Sequence, residues 1–291
     1  MAELSLIQVP YDSGWRERRM GRGPGRLLEI GAVEVLERAG LAMELAEARF
    51  EGDFPMENGT TFTLLQVIAS RVREAAADGR FPLVLAGNCD STVGALAGLG
   101  RERLGLVWFD GHADFNTPET TESGFLDGMG LAMAVGHCWE GMCGAVCGFA
   151  PLAEEHVALV GGRDLDPAEG ARVQQSGLTH VTDEMVHGSG PGGALEALLS
   201  SWAGSVDSVY LHVDMDVHDA DLAPANPLQP PEGGLSPREV RKCVQAIAER
   251  YPLAGVSLTA YDPGCDPEGK GANAALDLLR LIAAIVRDQN V

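Results

Sequence analysis

Two short stretches carry most of the side chains that could do chemistry. One reads Trp108-Phe109-Asp110-Gly111-His112-Ala113-Asp114, the other His212-Val213-Asp214-Met215-Asp216-Val217-His218-Asp219. In each, an apolar run leads into acids and imidazoles spaced two apart, so an extended chain projects them from one side. Four carboxylates gathered without counter-charge repel one another and lose hydration, and a bound cation is the natural compensation. Carboxylate oxygens with one or two imidazoles suit Mn2+ or a similar divalent ion rather than the thiolate chemistry of structural zinc. The alternative is that these acids cap loops or pair with arginine. Two such constellations, each ending an apolar run, weigh toward metal.

The runs that deliver them belong to a regular alternation. Nearly continuous apolar stretches at 4–9, 82–86, 104–109, 156–160, 208–213 and 253–258 read as strands covered on both faces. Between them, 24–39, 62–77, 92–99, 167–175, 193–202, 237–250 and 274–287 have helical periodicity, several with Pro near the start. This predicts an α/β fold, three-layer αβα with a mostly parallel sheet, in a single domain over 1–291. Segments 110–127 and 217–235 are long loops after strands, where open α/β sheets place ligands.

Composition narrows the function. The chain has 291 residues with 21 Lys+Arg against 42 Asp+Glu, a formal charge of −21. No basic cluster is present to neutralise phosphates, which argues against nucleic acid and against anionic membrane surfaces. No apolar stretch is long enough to span a bilayer and the N-terminus does not read as a signal peptide, so a cytoplasmic location is expected. Six cysteines are too sparse for a disulfide scaffold. Cys138, Cys143 and Cys147 fit no common zinc spacing and read as structural thiols.

Taken with Asn116-Thr117-Pro118, Ser123-Gly124 and Ala223-Pro224, the two acidic stretches resemble the arginase (ureohydrolase) family. The resemblance extends to Pro10-Tyr11-Asp12-Ser13-Gly14, Gly21-Arg22-Gly23-Pro24 and Gly162-Arg163-Asp164-Leu165-Asp166-Pro167. Its motif is most similar to members that hydrolyse N-omega-hydroxy-L-arginine. The resemblance implies two Mn2+ ions sharing a bridging hydroxide that attacks a guanidinium-type carbon. It implies Asp110, Asp114 and Asp214 around one ion and Asp110, His112, Asp214 and Asp216 around the other, with Asp219 shaping the site. Asn116 and Ser123 would bind an α-carboxylate, and Asp166 would meet an α-ammonium or cap the helix beginning at Pro167. A small-molecule substrate and a homo-oligomer, trimer or hexamer, are implied in the same way.

Three positions depart from the family pattern. In Gly87-Asn88-Cys89-Asp90-Ser91 the ligand histidine is read as Asp90, which either ligates as a carboxylate or leaves one ion weakly held, with Cys89 beside it read as a packed thiol. The proton-shuttling histidine becomes Asp127, whose ordinary pKa suits a base more than an acid. The guanidinium-holding glutamate becomes Ala260 in Thr259-Ala260-Tyr261-Asp262-Pro263, which removes a charge-assisted contact. His218 is a candidate replacement acid, the alternative being a surface-loop histidine. The expected function is metal-dependent hydrolysis of a linear C–N bond in a guanidino, hydroxyguanidino, formimino or related amidine. A catalytically weak protein of the same fold, binding a metabolite or supporting a partner, is the second reading. A deacetylase is disfavoured because the chain has no His-His pair.

Overall fold

The computed structural model describes residues 3–52, 56–230 and 232–289. The apolar runs form strands β1 (Glu3–Val9), β5 (Phe81–Ala86), β6 (Leu104–Asp110), β7 (Val157–Gly161), β9 (Ser208–Asp214) and β10 (Leu253–Thr259). Two more join them, β4 (Ala42–Glu47) and β8 (Thr179–Val181), and a small hairpin of β2 (Tyr11–Asp12) and β3 (Trp15–Arg16) stands apart. The main sheet is parallel throughout, in the order β4-β1-β5-β10-β9-β6-β7-β8. The two strands absent from the sequence reading are its edges. β4 is half exposed and β8 is three residues long, so neither has the continuous apolar run that marks a central strand.

Helices cover both faces. Those between the first strands are α1 (Gly23–Glu29), α2 (Ala32–Arg38), α3 (Glu57–Ala77) and α4 (Ser91–Leu99). After β6 come α5 (Gly130–Ala134), α6 (Glu140–Gly144), α7 (Pro167–Gln175), α8 (Asp183–Ser201), α9 (Pro237–Ala248) and α10 (Lys270–Gln289). Strand alternation sorts the core into two layers. Leu4, Leu6, Leu83 and Leu85 pack on one face with α2, α8, α9 and α10, while Ile7, Val9, Val84 and Ala86 pack on the other with α3, α4 and α5. This is the αβα sandwich the alternation predicted.

The helix expected at 24–39 is two, because Gly31 takes a left-handed φ of 108° between α1 and α2. α8 begins ten residues before the expected 193, capped by Thr182, and bends at Gly190-Pro191. The glycine-rich run 188–193 masked its first turns. Among the described residues, no helix is long and apolar enough to cross a membrane.

The cysteines are packed thiols except for Cys147, which the sequence reading counts among them, and the half-buried Cys265. Cys89, Cys138, Cys143 and Cys243 are buried and Cys147 is exposed. Burial pushes the Cys138 thiol up to about 12 and Cys143 to about 11. Among the described residues, no grouping of potential metal ligands includes Cys138, Cys143 or Cys147. A thiol-reactive disulfide reagent should therefore label Cys147 rapidly in the native protein and leave Cys138, Cys143 and Cys243 protected until unfolding. Rapid native labelling of Cys138 or Cys143, read by peptide mass mapping, would contradict this packing.

Candidate active site at the strand ends

Five neighbouring strands, β5, β10, β9, β6 and β7, end at one edge of the sheet and build the site. The register pairs Trp108 with His212, so Asp110 and Asp214, two residues on, leave adjoining strands side by side. Asp110, Asp114, Asp214 and Asp216 are all buried. The two acidic stretches are laced together by hydrogen bonds. Trp108 Nε1 donates to Asp110 Oδ2 at 2.9 Å, and the His112 amide to Asp110 Oδ1 at 2.7 Å. The Gly111 amide crosses to Asp216 Oδ1 at 2.9 Å, and Asn226 Nδ2 donates to Asp216 Oδ2 at 3.1 Å. A Cβ at position 111 would lie 2.8 Å from the Asp216 carbonyl oxygen, so only glycine allows this approach.

His112 Nδ1 sits 3.3 Å from Asp216 Oδ2 and 3.5 Å from Asp110 Oδ1. Asp114 holds a left-handed φ of 49°, its carbonyl accepting from the Leu131 and Ala132 amides, and its buried Oδ2 has no hydrogen-bond partner. A strained, unsatisfied carboxylate is costly unless a ligand compensates it.

The electrostatics agree. Burial, then the charges of neighbouring acids, raises Asp110, Asp114 and Asp214 above the ordinary carboxylate range. Burial works against charge on His112 as well, but Asp216 and Asp110 outweigh it and hold the imidazole protonated. Asp216 is kept low despite its burial by His112 and by its N–H donors. The cluster thus draws a positive charge into its centre, and its donors, mostly carboxylate oxygens with one accessible imidazole, suit a divalent cation.

The cavity above these groups measures about 580 Å³ and is lined by Cys89, His112, Asp114, Asp214 and Asp216 among others. Asn116, Ser123 and Asp166 line it too. Asn116 Nδ2 donates to Asp166 Oδ2 at 3.0 Å, while the Asp166 amide, at the start of α7, donates to Glu169 Oε2 at 3.2 Å. Asp166 therefore combines the helix-cap position with a face toward the cavity. Asp127 also lines the cavity, its carboxylate accepting from Asn88 Nδ2 at 2.6 Å and from the Asp90 amide at 3.0 Å. Burial, only partly opposed by these donors, pushes Asp127 up to about 7.

Other expected residues lie elsewhere. Asp90 lines a separate small cavity with Tyr11, Thr61 and Leu64. The side chain this turn sends to the carboxylates is that of Cys89, whose Sγ is 3.0 Å from Asp214 Oδ2. His218 is neither a cavity residue nor a surface one. Its buried ring contacts the Met215 carbonyl at 2.9 Å, and burial drives it down to about 4. Asp219 is half-buried outside the cavity lining and accepts from the Asp221 amide at 2.8 Å. Ala260 does line the cavity, with a left-handed φ of 59°, and presents a methyl group.

The sequence reading took Cys89 for a packed thiol, gave His212 and Arg163 no role of their own, and did not single out Asn226. His212 shares the two-residue alternation of Asp214 and Asp216, a signal that points it to the same side of the strand. Arg163 reaches from the β7–α7 turn to donate to the carbonyls of Asp216, Val217 and His218 at 2.9, 3.4 and 3.3 Å.

The arginase family's sequence model matches residues 2–284, and the chain belongs to that family. It is 32% identical to an arginase of Bacillus caldovelox over 96% of this chain and 97% of that protein. The crystal structure of arginase from Bacillus cereus superposes with a TM-score of 0.87 at 27% identity, covering 98% of both chains. Formimidoylglutamase from Bacillus subtilis shares the fold, with a TM-score of 0.76 at 18% identity over all of this chain and 88% of that one. The protein is accordingly a hydrolase acting on non-peptide C–N bonds of linear amidines.

Arg163 ties the second acidic stretch to the neighbouring strand end; its loss leaves the Asp216 carbonyl without a partner, whereas the Val217 carbonyl keeps the Leu235 amide and the His218 carbonyl keeps Gln229 Nε2. Arg163→Ala is expected to lower unfolding stability by about 1–3 kcal/mol in a urea titration. A loss below about 0.5 kcal/mol would show that these contacts do not hold the loop.

Proposed function

We propose that the chain hydrolyses a guanidino-type, hydroxyguanidino or formimino group carried on an amino-acid-like small molecule, within a single domain over 1–291. The observation that carries this reading is the convergence of Asp110, Asp114, Asp214 and Asp216 with His112 beneath one cavity, where burial and mutual repulsion call for cations. These five residues would supply most of the ligands of two divalent ions, manganese being the family's usual choice. When bound, the ions supply Lewis-acid polarisation and a water acidic enough to attack at neutral pH.

The chain's own groups do the rest. Asn116, Ser123 and Asp166 hold the amino-acid end of the substrate. Asp127, which lines the same cavity and has a pKa near 7, would take a proton at its carboxylate and return it to the departing amine. The raised pKa answers the objection that an aspartate is a poor acid at neutral pH, because the carboxyl still carries a proton there to donate.

The cavity offers no carboxylate at position 260. A buried guanidinium without such a partner loses a charge-assisted bidentate contact. This favours substrates whose amidine is less basic or differently substituted than that of arginine. The test is a screen of Mn2+-loaded protein against arginine, hydroxyarginine, agmatine, guanidine, formiminoglutamate and guanidino acids, reading urea, hydroxyurea or formamide. Turnover of hydroxyarginine or a formimino compound above arginine is expected; silence across the panel would favour a metabolite-binding or partner-supporting protein instead. For the best substrate, Asp127→Asn should lower kcat by about 100-fold or more with KM little changed. An unchanged kcat would remove Asp127 from proton transfer.

A further inference from the structure

Beneath the oxygen-rich cluster lies a second set of donors of different chemistry. Cys89 Sγ, a carboxylate oxygen of Asp110 and a ring nitrogen of His212 lie within 4.8 Å of one another, and all three side chains are buried. A cysteine in a family that relies on oxygen and nitrogen donors need not by itself mean anything. The independent observation is His212. Its Nδ1 is engaged by Thr92 Oγ1 at 2.8 Å, whereas Nε2 is buried with no hydrogen-bond partner. An orphaned ring nitrogen is costly, and one beside a thiol and a carboxylate has the surroundings of a metal ligand.

The neighbours hold this histidine as a ligand is held. With Nδ1 as the donor to Thr92, Nε2 keeps its lone pair, the tautomer that binds metal. Trp108 stacks on the ring at 3.5 Å and 18°, while its own Nε1 donates to Asp110 Oδ2. One indole therefore orients two of the three donors. Cys89 lies in the turn between β5 and α4 and Thr92 in the first turn of α4, so one short segment positions both the thiol and the support of the imidazole. Cys89 also lines the main cavity, which gives an ion a route in.

We infer that Cys89, Asp110 and His212 form one of the two metal positions of this centre and that this position prefers Zn2+ to Mn2+. The preference follows from the donors. Thiolate and imidazole favour zinc and other borderline ions, whereas manganese is best served by oxygen. On binding, the Cys89 thiol releases its proton to solvent and the thiolate bonds the ion; His212 binds without proton loss at Nε2. Asp110 then stands between two unlike positions, one thiolate-bearing and one built on His112 and Asp216. This rests on the reading of the carboxylate cluster as a metal centre and specifies the ion at half of it.

The experiment uses the full-length, metal-stripped protein and does not depend on turnover. Titration with Co2+, a spectroscopic stand-in for zinc, should raise a thiolate-to-cobalt charge-transfer band in the near ultraviolet, saturating at one ion per chain. Cys89→Ser should abolish the band and Cys143→Ser, which alters a buried thiol away from the site, should leave it. His212→Asn should weaken Co2+ at this position by about 10-fold or more. In competition followed by metal analysis, Zn2+ should displace Mn2+ from one position per chain at a lower concentration than from the other. Far-ultraviolet circular dichroism checks that each variant folds, and the wild-type spectrum stands even if a variant does not. Cobalt bound without the band, or a band that survives Cys89→Ser, overturns the inference while leaving the metal centre intact. Failure to bind any divalent ion overturns both.

Discussion

Mutual repulsion among buried carboxylates is the constraint around which this molecule is organised. Asp110, Asp114, Asp214 and Asp216 leave two adjacent strands at the same sheet edge, removed from water and close enough to raise one another's pKa. Such a cluster persists only if its charge is answered. With no ion bound, part of the answer is internal: His112 as an imidazolium, which gives up its proton to ligate, and amide donors from Gly111, His112 and Asp216 itself. The rest, including the unpartnered Asp114 oxygen, fits a bound cation.

The fold serves this constraint from below. Parallel strands in register bring Trp108 beside His212 and, two residues on, Asp110 beside Asp214. Layers of aliphatic side chains on both faces fix the strand positions, and close packing leaves them little freedom to drift apart. The loops above carry the variable chemistry. Cys89, Asp127 and Ala260 line the cavity, while the scaffold beneath superposes on the arginase of Bacillus cereus with a TM-score of 0.87. Side chains on turns and loops can therefore differ while the sheet that carries them is kept.

Burial changes what a residue type can do. An aspartate in water is a base at neutral pH, but Asp127, enclosed and held by Asn88 and the Asp90 amide, has a pKa near 7. A histidine in water is the natural neutral-pH acid, yet His218, fully enclosed against the Met215 carbonyl, is held neutral. Ordinary pKa values would assign these two residues the opposite roles.

The central strands, the parallel sheet, the two acidic stretches and the family were all legible in the linear chain, because apolar runs and two-residue alternation are local patterns. The edge strands β4 and β8 were not, since a strand covered on one side by its neighbour needs no long apolar run. Nor could spacing decide between Cys89 and Asp90. Adjacent residues in a turn point to opposite sides, and only the packed β5–α4 turn determines that the thiol meets Asp214 while Asp90 faces Tyr11 and Leu64. The same holds for His212, whose significance lies in a nitrogen left without a partner. Residue type and spacing are properties of the chain, whereas the direction of a side chain and the satisfaction of its polar atoms depend on neighbours brought from far along it.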